Sequence, residues 1–264
     1  MIDFEQKPSY DVADLVEIVR ILRSPGGCPW DREQDHHSIR RDLLEEAYEV
    51  AEAIDEESPE HLREELGDLL LQVVMHSRME EEAGRANLSD VADGICKKLI
   101  YRHPHVFGDV TVSGSGQVLE SWEELKKKEK HQKTASDSVD AVARSLPGLW
   151  RAEKIQKKAA KVGFDWDSVD GAMAKLREET DELQAAIRDG SNVEEELGDL
   201  LFAAVNVARF VKTDPEGAMT AACDKFARRF RAVEEAAQAQ GRELSSMTLA
   251  EMDALWDAVK QREA

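Results

Sequence analysis

The chain has 264 residues, a formal net charge of −20, 42% hydrophobic residues, 6% aromatic residues and 34% charged residues. This apolar content is sufficient for a packed core and excludes a disordered chain, while the negative charge disfavours binding to nucleic acid or to an anionic membrane. The three cysteines are far apart, the start MIDFEQKPSY lacks a secretory pattern, and no run of 18 apolar residues occurs. We therefore expect a soluble, cytoplasmic protein with no membrane or nucleic-acid partner.

Apolar residues recur at helical spacing along most of the chain. Ser58 and Pro59 form a plausible cap and first turn for one of the predicted helices. The best candidate for a strand is short, from His105 to Val112. The fold class is predicted to be all-α, with helices over residues 10–24, 43–54, 59–74, 87–102, 118–131, 176–187, 197–208, 215–238 and 248–262.

The chain contains an internal duplication. Residues 43–54 match residues 176–187 at six of twelve positions, and the heptapeptide EELGDLL occurs at both 64–70 and 195–201. Two copies of one unit explain the length better than a single large domain. The sequence therefore predicts a first domain over 1–130, a linker over 131–145 whose beginning is polar, and a second domain over 146–264.

Each copy carries two pairs of carboxylates, and each pair is spaced by one helical turn. In the first copy, Glu46 and Glu49 share a face of one helix, and Glu65 and Asp68 share a face of the next. A short connection makes these helices antiparallel neighbours, so that the four carboxylates converge. The second copy repeats the set as Glu179, Glu182, Glu196 and Asp199.

Converging carboxylates repel one another unless a cation binds between them. Ligands that are all oxygen atoms are typical of Mg²⁺, with Mn²⁺ as a substitute. Either motif alone is also common on solvated helix faces, but its repetition at matched spacing favours a metal site. A di-iron bundle needs paired E-x-x-H motifs, and the only match is the one from Glu33 to His36.

Basic and aromatic residues follow the carboxylates at matched spacing in both copies. Lysine and arginine on one helix face bind phosphate oxygens, and a tryptophan nearby can stack on a base. Salt bridging and core packing are the alternative roles of these side chains. The candidate residues are Lys98, Arg102, Trp122 and Lys126 in the first copy, and Lys225, Arg229, Trp256 and Lys260 in the second.

At these residues the sequence resembles the MazG family of nucleoside triphosphate pyrophosphohydrolases, an all-α superfamily whose signature is E-E-x-x-E followed by E-x-x-D. The signature appears as EEAYE (45–49) with ELGD (65–68), and as EETDE (178–182) with ELGD (196–199). The resemblance extends over nearly the whole chain, including GCPWDREQ (27–34) and KFARRF (225–230).

The resemblance implies two tandem four-helix units in a homodimer, and Mg²⁺-dependent hydrolysis of a nucleoside triphosphate to the monophosphate and pyrophosphate. It places the main activity in the second unit, with the first weakly active or structural. It makes Glu179, Glu182, Glu196 and Asp199 the metal ligands, and Lys225, Arg229, Trp256 and Lys260 the nucleotide contacts. Glu178 would orient or deprotonate the attacking water.

Two other functions remain open at this point. The chain could bind a metal–nucleotide complex without hydrolysing it, although complete ligand sets in both copies argue against a pure binder. Residues 1–130 alone could serve as a dimerisation platform. The absence of a G-x-x-x-x-G-K-[ST] loop excludes a P-loop ATPase.

Overall fold

A computed structural model of the chain describes residues 4–129 and 134–263. Within those ranges the chain forms α-helices, one 3₁₀ turn and no strand, so the all-α prediction is confirmed. The helices are α1 (Val12–Leu22), α2 (Pro29–Glu33), α3 (Arg40–Asp55), α4 (Pro59–Glu82), α5 (Leu88–Arg102), α6 (Pro104–Phe107), α7 (Ser115–Glu129), α8 (Ala135–Asp140), α9 (Gly148–Ala160), α10 (Val169–Asp189), α11 (Val193–Phe210), α12 (Pro215–Ala239) and α13 (Leu249–Glu263). No described helix is long and apolar enough to cross a membrane.

The helices group into two compact units, residues 1–126 and 127–264. Each unit is organised around a pair of helices from the duplicated segment, α3 with α4 in the first and α10 with α11 in the second. Because only a few residues join the helices of each pair, the two helices run antiparallel.

In the first unit, the chain turns sharply between α3 and α4. The Ser58 hydroxyl accepts a hydrogen bond from the His61 amide at 3.3 Å, and Pro59 occupies the first helical position, as the sequence predicts. Helix α1 packs against α4. The core between them contains Val19, Ile39, Val74, Met75 and Met79. This packing fixes α4, and with it the carboxylates on its first turns.

In the second unit, helix α10 ends at Gly190, whose φ of 67° lies in the left-handed region that terminates helices. The chain then enters α11 after Asn192, also in a left-handed conformation. Helix α9 packs against α11, and α12 packs against α13. The long helices therefore lie where the apolar periodicity predicts them; residues 130–131 of the predicted helix 118–131 lie outside the described residues.

Two local expectations differ from the structure. The predicted strand over 105–112 is wrong, because Pro104 starts the short helix α6 and no described strand is present for the segment to pair with. The segment 131–145 contains helix α8, since Thr134 and Asp137 form a capping box and α8 packs against α9. Residues 131–133 of the predicted linker lie outside the described residues.

Candidate functional site

The second unit brings carboxylates from α10 and α11 together. Oxygen atoms of Glu179, Glu196 and Asp199 all lie within 4.8 Å of one another. Glu179 is 5% exposed, whereas Asp199 is open to solvent. The cluster therefore has a buried end on α10 and an accessible end on α11, an arrangement that a ligand can reach from solvent.

Glu182, the fourth carboxylate predicted for this unit, lies outside that group of three. It lies one turn after Glu179 on α10, where partial removal from water raises the pKa of the Glu182 carboxyl and the Glu179 charge raises it further. Both effects disfavour the ionised form of Glu182. A divalent cation would reverse this preference, since it stabilises ionised carboxylates.

A lysine that the sequence analysis missed also contacts the cluster. The Nζ of Lys175 lies 2.8 Å from Oε1 of Glu178 and 2.6 Å from Oε1 of Glu179. These hydrogen bonds hold the pKa of Lys175 above its usual value. The signal was present in the sequence, because Lys175 precedes Glu179 by four residues and therefore shares its helix face.

The first unit has a related cluster that shares two of its three positions with the second, since Glu46 and Glu65 correspond to Glu179 and Glu196. Oxygen atoms of Glu46, Glu49 and Glu65 lie within 4.8 Å of one another. Burial raises the pKa of Glu46, and the charges of Asp68 and Glu49 raise it further, so Asp68 lies close to the same group. Three of the four carboxylates predicted from sequence therefore converge within this distance in each unit, while Asp68 in the first unit and Glu182 in the second lie outside the group of three.

The two clusters differ in the basic side chain beside them. In the first unit, Nε2 of His61 lies 3.1 Å from Oε1 of Glu65, and Nδ1 of His61 lies 2.8 Å from Oε2 of Glu56. The bond to Glu56 is the main cause of a raised His61 pKa. His61 was not predicted as a site residue, although its spacing of four residues from Glu65 was visible in the sequence.

The residues of the second cluster fit a divalent metal ion. The donors are all carboxylate oxygens, the set that Mg²⁺ and Mn²⁺ prefer. Oε2 of Glu179 is buried and has no hydrogen-bond partner among the described residues. A buried carboxylate oxygen without a partner is costly, and a cation would satisfy it.

The predicted nucleotide contacts of the second unit lie on α12 and α13. The guanidinium of Arg229 donates to Glu263 at 2.6 Å and lies 6.0 Å from the centre of the Trp256 ring. Lys260 lies 3.7 Å from Asp257. Within the described ranges, no hydrogen bond or ion pair connects Lys225, Arg229, Trp256 or Lys260 with the acidic cluster, so their assignment stays a prediction.

The first unit has a related arrangement on α5 and α7. The Arg102 guanidinium lies 5.2 Å from the centre of the Trp122 ring, and Nζ of Lys126 lies 4.8 Å from it. Arg102 is largely buried, whereas Lys98 is exposed on the preceding turn. The arginine–tryptophan contact therefore occurs in both units, as expected for a duplicated element.

Comparison with known proteins agrees with the duplication. The MazG nucleotide pyrophosphohydrolase domain matches this chain over residues 34–107 and again over 168–233, so each match includes one carboxylate cluster. The Escherichia coli K12 protein named nucleoside triphosphate pyrophosphohydrolase is 46% identical over 254 residues, covering 94% of this chain and 97% of the relative.

Two further relatives extend the comparison. The Thermotoga maritima protein named nucleoside triphosphate pyrophosphohydrolase/pyrophosphatase MazG is 43% identical over 247 residues, 94% of each chain. The Bacillus subtilis protein YabN is 48% identical over 263 residues, 98% of this chain and 54% of YabN. These similarities show that the chain belongs to the MazG family of nucleotide pyrophosphohydrolases.

Proposed function

We propose that the chain hydrolyses nucleoside triphosphates, with ribose or deoxyribose, to the monophosphate and pyrophosphate in a Mg²⁺-dependent reaction. The observation that carries this proposal is the cluster of carboxylate oxygens around buried Glu179 in a member of a nucleotide pyrophosphohydrolase family. The names of the E. coli and T. maritima relatives support the same reaction. We also propose that the protein is cytoplasmic and has no nucleic-acid partner, and the charge of −20 supports the latter.

The four carboxylates of the second unit would hold the metal ion: Glu179, Glu182, Glu196 and Asp199. When bound, Mg²⁺, or Mn²⁺ in its place, supplies Lewis-acid polarisation of phosphate oxygens and lowers the pKa of a bound water. Glu178 lies beside these ligands with an exposed carboxylate. It is the group that orients the attacking water or accepts its proton, and attack at the α-phosphorus releases pyrophosphate.

Cationic side chains would bind the triphosphate. Lys225, Arg229 and Lys260 neutralise phosphate charge, and Trp256 contacts the nucleoside. Lys175 adds a positive charge next to Glu179. Phosphoryl transfer depends mainly on such positioning and charge stabilisation, so this set requires no covalent intermediate.

The second unit would carry the main activity, and the first would be weakly active or structural, with Lys98, Arg102, Trp122 and Lys126 as the counterpart contacts. The family resemblance supports this ranking, since in similar tandem proteins the second domain carries most of the activity. Each cluster has a basic side chain on a ligand oxygen, His61 on Glu65 in the first unit and Lys175 on Glu179 in the second. In the second unit, Oε2 of Glu179 has no hydrogen-bond partner among the described residues and stays available to a metal ion.

The chain would act as a homodimer. Val91, Ile95 and Leu99 form a stripe along α5 and are each about half exposed, at 45%, 45% and 47%. Phe226 and Phe230 on α12 are similarly exposed. Apolar stripes of this kind are typical of helix surfaces that pack against another helix. In a homodimer, a second copy of the chain would supply the helix that covers the stripe.

Turnover of charge-neutral variants tests the proposal. Glu196→Gln should lower kcat/KM for nucleoside triphosphates more than about 100-fold. Loss of a residue that only hydrogen-bonds to a metal ligand typically lowers activity by about 10- to 100-fold, so a larger loss indicates a direct ligand. Glu195→Gln is the matched control, because Glu195 is adjacent, exposed and outside the cluster. Glu65→Gln, with Glu64→Gln as its control, should lower the rate much less.

Undiminished turnover in Glu196→Gln would remove the second cluster from the proposal. A larger loss in Glu65→Gln than in Glu196→Gln would reverse the assigned roles of the two units. Tight nucleotide binding by the wild-type chain with no product would show a nucleotide-binding protein that does not hydrolyse its ligand.

A further inference from the structure

The first unit contains a pair of histidines joined by one hydrogen bond. His36 lies in the segment 34–39 between α2 and α3, and His76 lies on α4. Nδ1 of His36 is 2.8 Å from Nδ1 of His76. The ring planes differ by 5° and the ring centres are 5.1 Å apart, which exceeds the separation of the nitrogens by the width of one ring. The rings therefore meet edge to edge in nearly one plane, along the direction in which an Nδ1–H bond points.

The outer ring of the pair is bound to a carboxylate. Nε2 of His36 lies 2.9 Å from Oε1 of Glu80, which is one turn beyond His76 on α4. Arg85 donates to both oxygens of the same carboxylate, at 2.6 and 2.8 Å. The hydrogen bonds from Arg85 are the main cause that lowers the pKa of Glu80 to about 2. Because an ionised carboxylate can only accept, Nε2 of His36 carries a proton.

The inner ring of the pair ends away from water. Nε2 of His76 is buried and has no hydrogen-bond partner among the described residues. Within those residues, the two rings make only the hydrogen bond that joins them and the one to Glu80. Burial lowers the pKa of His76, and His36 lowers it further. A positive charge is therefore better placed on His36, beside Glu80, than on His76.

Other charged groups lie around the pair. Asp35 and His37 are the exposed neighbours of His36 in the same segment. From α1, the guanidinium of Arg23 donates to a carbonyl of the segment at 3.1 Å and to Glu82 at 2.8 Å. Helices α3 and α5 also pack against α4, but in the described part of the chain none of their charged side chains bonds to either ring. Histidine is the side chain whose charge ordinarily changes near neutral pH, so the two rings and His37 are the groups to test.

The second unit has no counterpart of this pair on its homologous helix. In the register of the repeated EELGDLL motif, His76 corresponds to Val207 and Glu80 to Val211. All seven histidines of the chain lie at or before residue 131, and apart from His131, which lies outside the described residues, they belong to the first unit. The described part of the second unit is therefore an internal reference for histidine titration.

The hydrogen bond limits how many protons the joined rings can hold. One Nδ1 must donate and the other must accept, so a single proton lies between them. With a proton on each Nε2 as well, the joined pair holds at most three protons, whereas two separate histidinium ions hold four. A fourth proton would place two N–H groups and two positive charges directly against each other. The fully protonated rings therefore cannot stay joined.

We propose that the His36–His76 pair is a pH-sensitive switch that holds the segment 34–39 against α4 near neutral pH and releases it in acid. Ile39, at the end of this segment, belongs to the core with Val19 and Val74, so release loosens the start of α3. The released segment can bind a proton that the joined pair cannot. Lowering the pH therefore favours release, and the opening constant rises by up to about tenfold per pH unit for each such proton.

NMR of the wild-type chain with ¹⁵N-labelled histidine tests the shared proton. At about pH 8, where histidines are ordinarily neutral, His36 should carry its proton at Nε2 and His76 at Nδ1, with a coupling across the hydrogen bond between the two Nδ1 atoms. At about pH 5 this coupling should vanish and all four ring nitrogens should be protonated. A His76 ring protonated at Nε2 at the higher pH, or a coupling that persists at the lower pH, would overturn the switch.

Native-state hydrogen exchange tests the release of the segment. Once the intrinsic effect of pH on exchange is removed, protection of the amides over 34–43 should fall about tenfold between about pH 7 and 5.5. Amides of α11, where Val207 takes the place of His76, should keep their protection. His76→Gln should reduce the fall to less than about twofold, because only one titrating ring remains.

His37→Gln is the matched control, since His37 is adjacent to the pair and exposed, and it should keep the full fall in protection. Loss of the hydrogen bond in His76→Gln can change protection at every pH, so the dependence on pH is the quantity to compare. Protection over 34–43 that does not change with pH in the wild-type chain, or that falls as steeply in His76→Gln, would overturn the switch.

Discussion

Replacing one carboxylate of the second cluster should stabilise the metal-free protein while reducing its response to Mg²⁺. Oxygens of Glu179, Glu196 and Asp199 lie within 4.8 Å of one another. Two charges at that separation repel by roughly 3.5 kcal/mol at an effective dielectric constant of 20, and by about 0.9 kcal/mol in bulk water. Glu196→Gln removes two of the three repulsions. Because Asp199 is exposed, the gain should be about 1–2 kcal/mol, or a rise in Tm of about 3–6 °C.

Differential scanning calorimetry in EDTA and in Mg²⁺ measures both effects. In EDTA, Glu196→Gln should unfold at a higher temperature than the wild-type chain and than the control Glu195→Gln. Adding Mg²⁺ should raise the Tm of the wild-type and control chains, since a ligand that binds only the folded state stabilises it, and should raise the Tm of Glu196→Gln much less. A Glu196→Gln chain that is no more stable in EDTA, or that gains the full Mg²⁺ shift, would refute this account of the cluster.

Three other predictions concern the fold around the site. Asp165→Asn should lower the unfolding free energy by about 1–2 kcal/mol at pH 7, because Arg209 holds the pKa of Asp165 below its usual value and the pair is largely buried. Urea melts should show this difference shrinking as pH falls below about 4, because Asp165 then binds a proton more readily in the unfolded chain than in the folded one. Burial lowers the pKa of His76, so just below pH 6.5 the unfolded chain binds more protons than the folded chain, and the unfolding free energy should decrease as the pH is lowered. His76→Gln should make this pH dependence less steep, and an unchanged pH dependence would contradict the lowered pKa of His76. Ile95→Glu should shift the chain from dimer to monomer in analytical ultracentrifugation, and a dimer that persists would exclude the α5 stripe as the interface.

Much of the fold follows from the sequence, because the two helix pairs combine apolar stripes with local signals. The Ser58 cap and Pro59 start α4, and Asp214 with Pro215 starts α12. Such signals act within a few residues, so they can be read without knowledge of tertiary contacts. The convergence of carboxylates was equally predictable, since helical spacing and a short connection determine which faces meet.

The errors and omissions have physical causes. The segment after His103 has β-forming residues, but a strand requires a neighbour for its backbone hydrogen bonds, and Pro104 starts a helical turn instead. The contacts of Lys175 and His61 were visible only as spacing, which does not fix side-chain conformation. The bond between His36 and His76 joins residues that are 40 apart in the chain, a long-range contact that periodicity does not specify.

The most direct test of the central claim is hydrolysis of a nucleoside triphosphate in ¹⁸O-labelled water with Mg²⁺, followed by mass spectrometry of the products. The account predicts nucleoside monophosphate and pyrophosphate in equal amounts, with the label in the monophosphate and less than about a hundredth of the wild-type rate from Glu196→Gln. Nucleoside diphosphate with labelled orthophosphate, or undiminished product from Glu196→Gln, would contradict it.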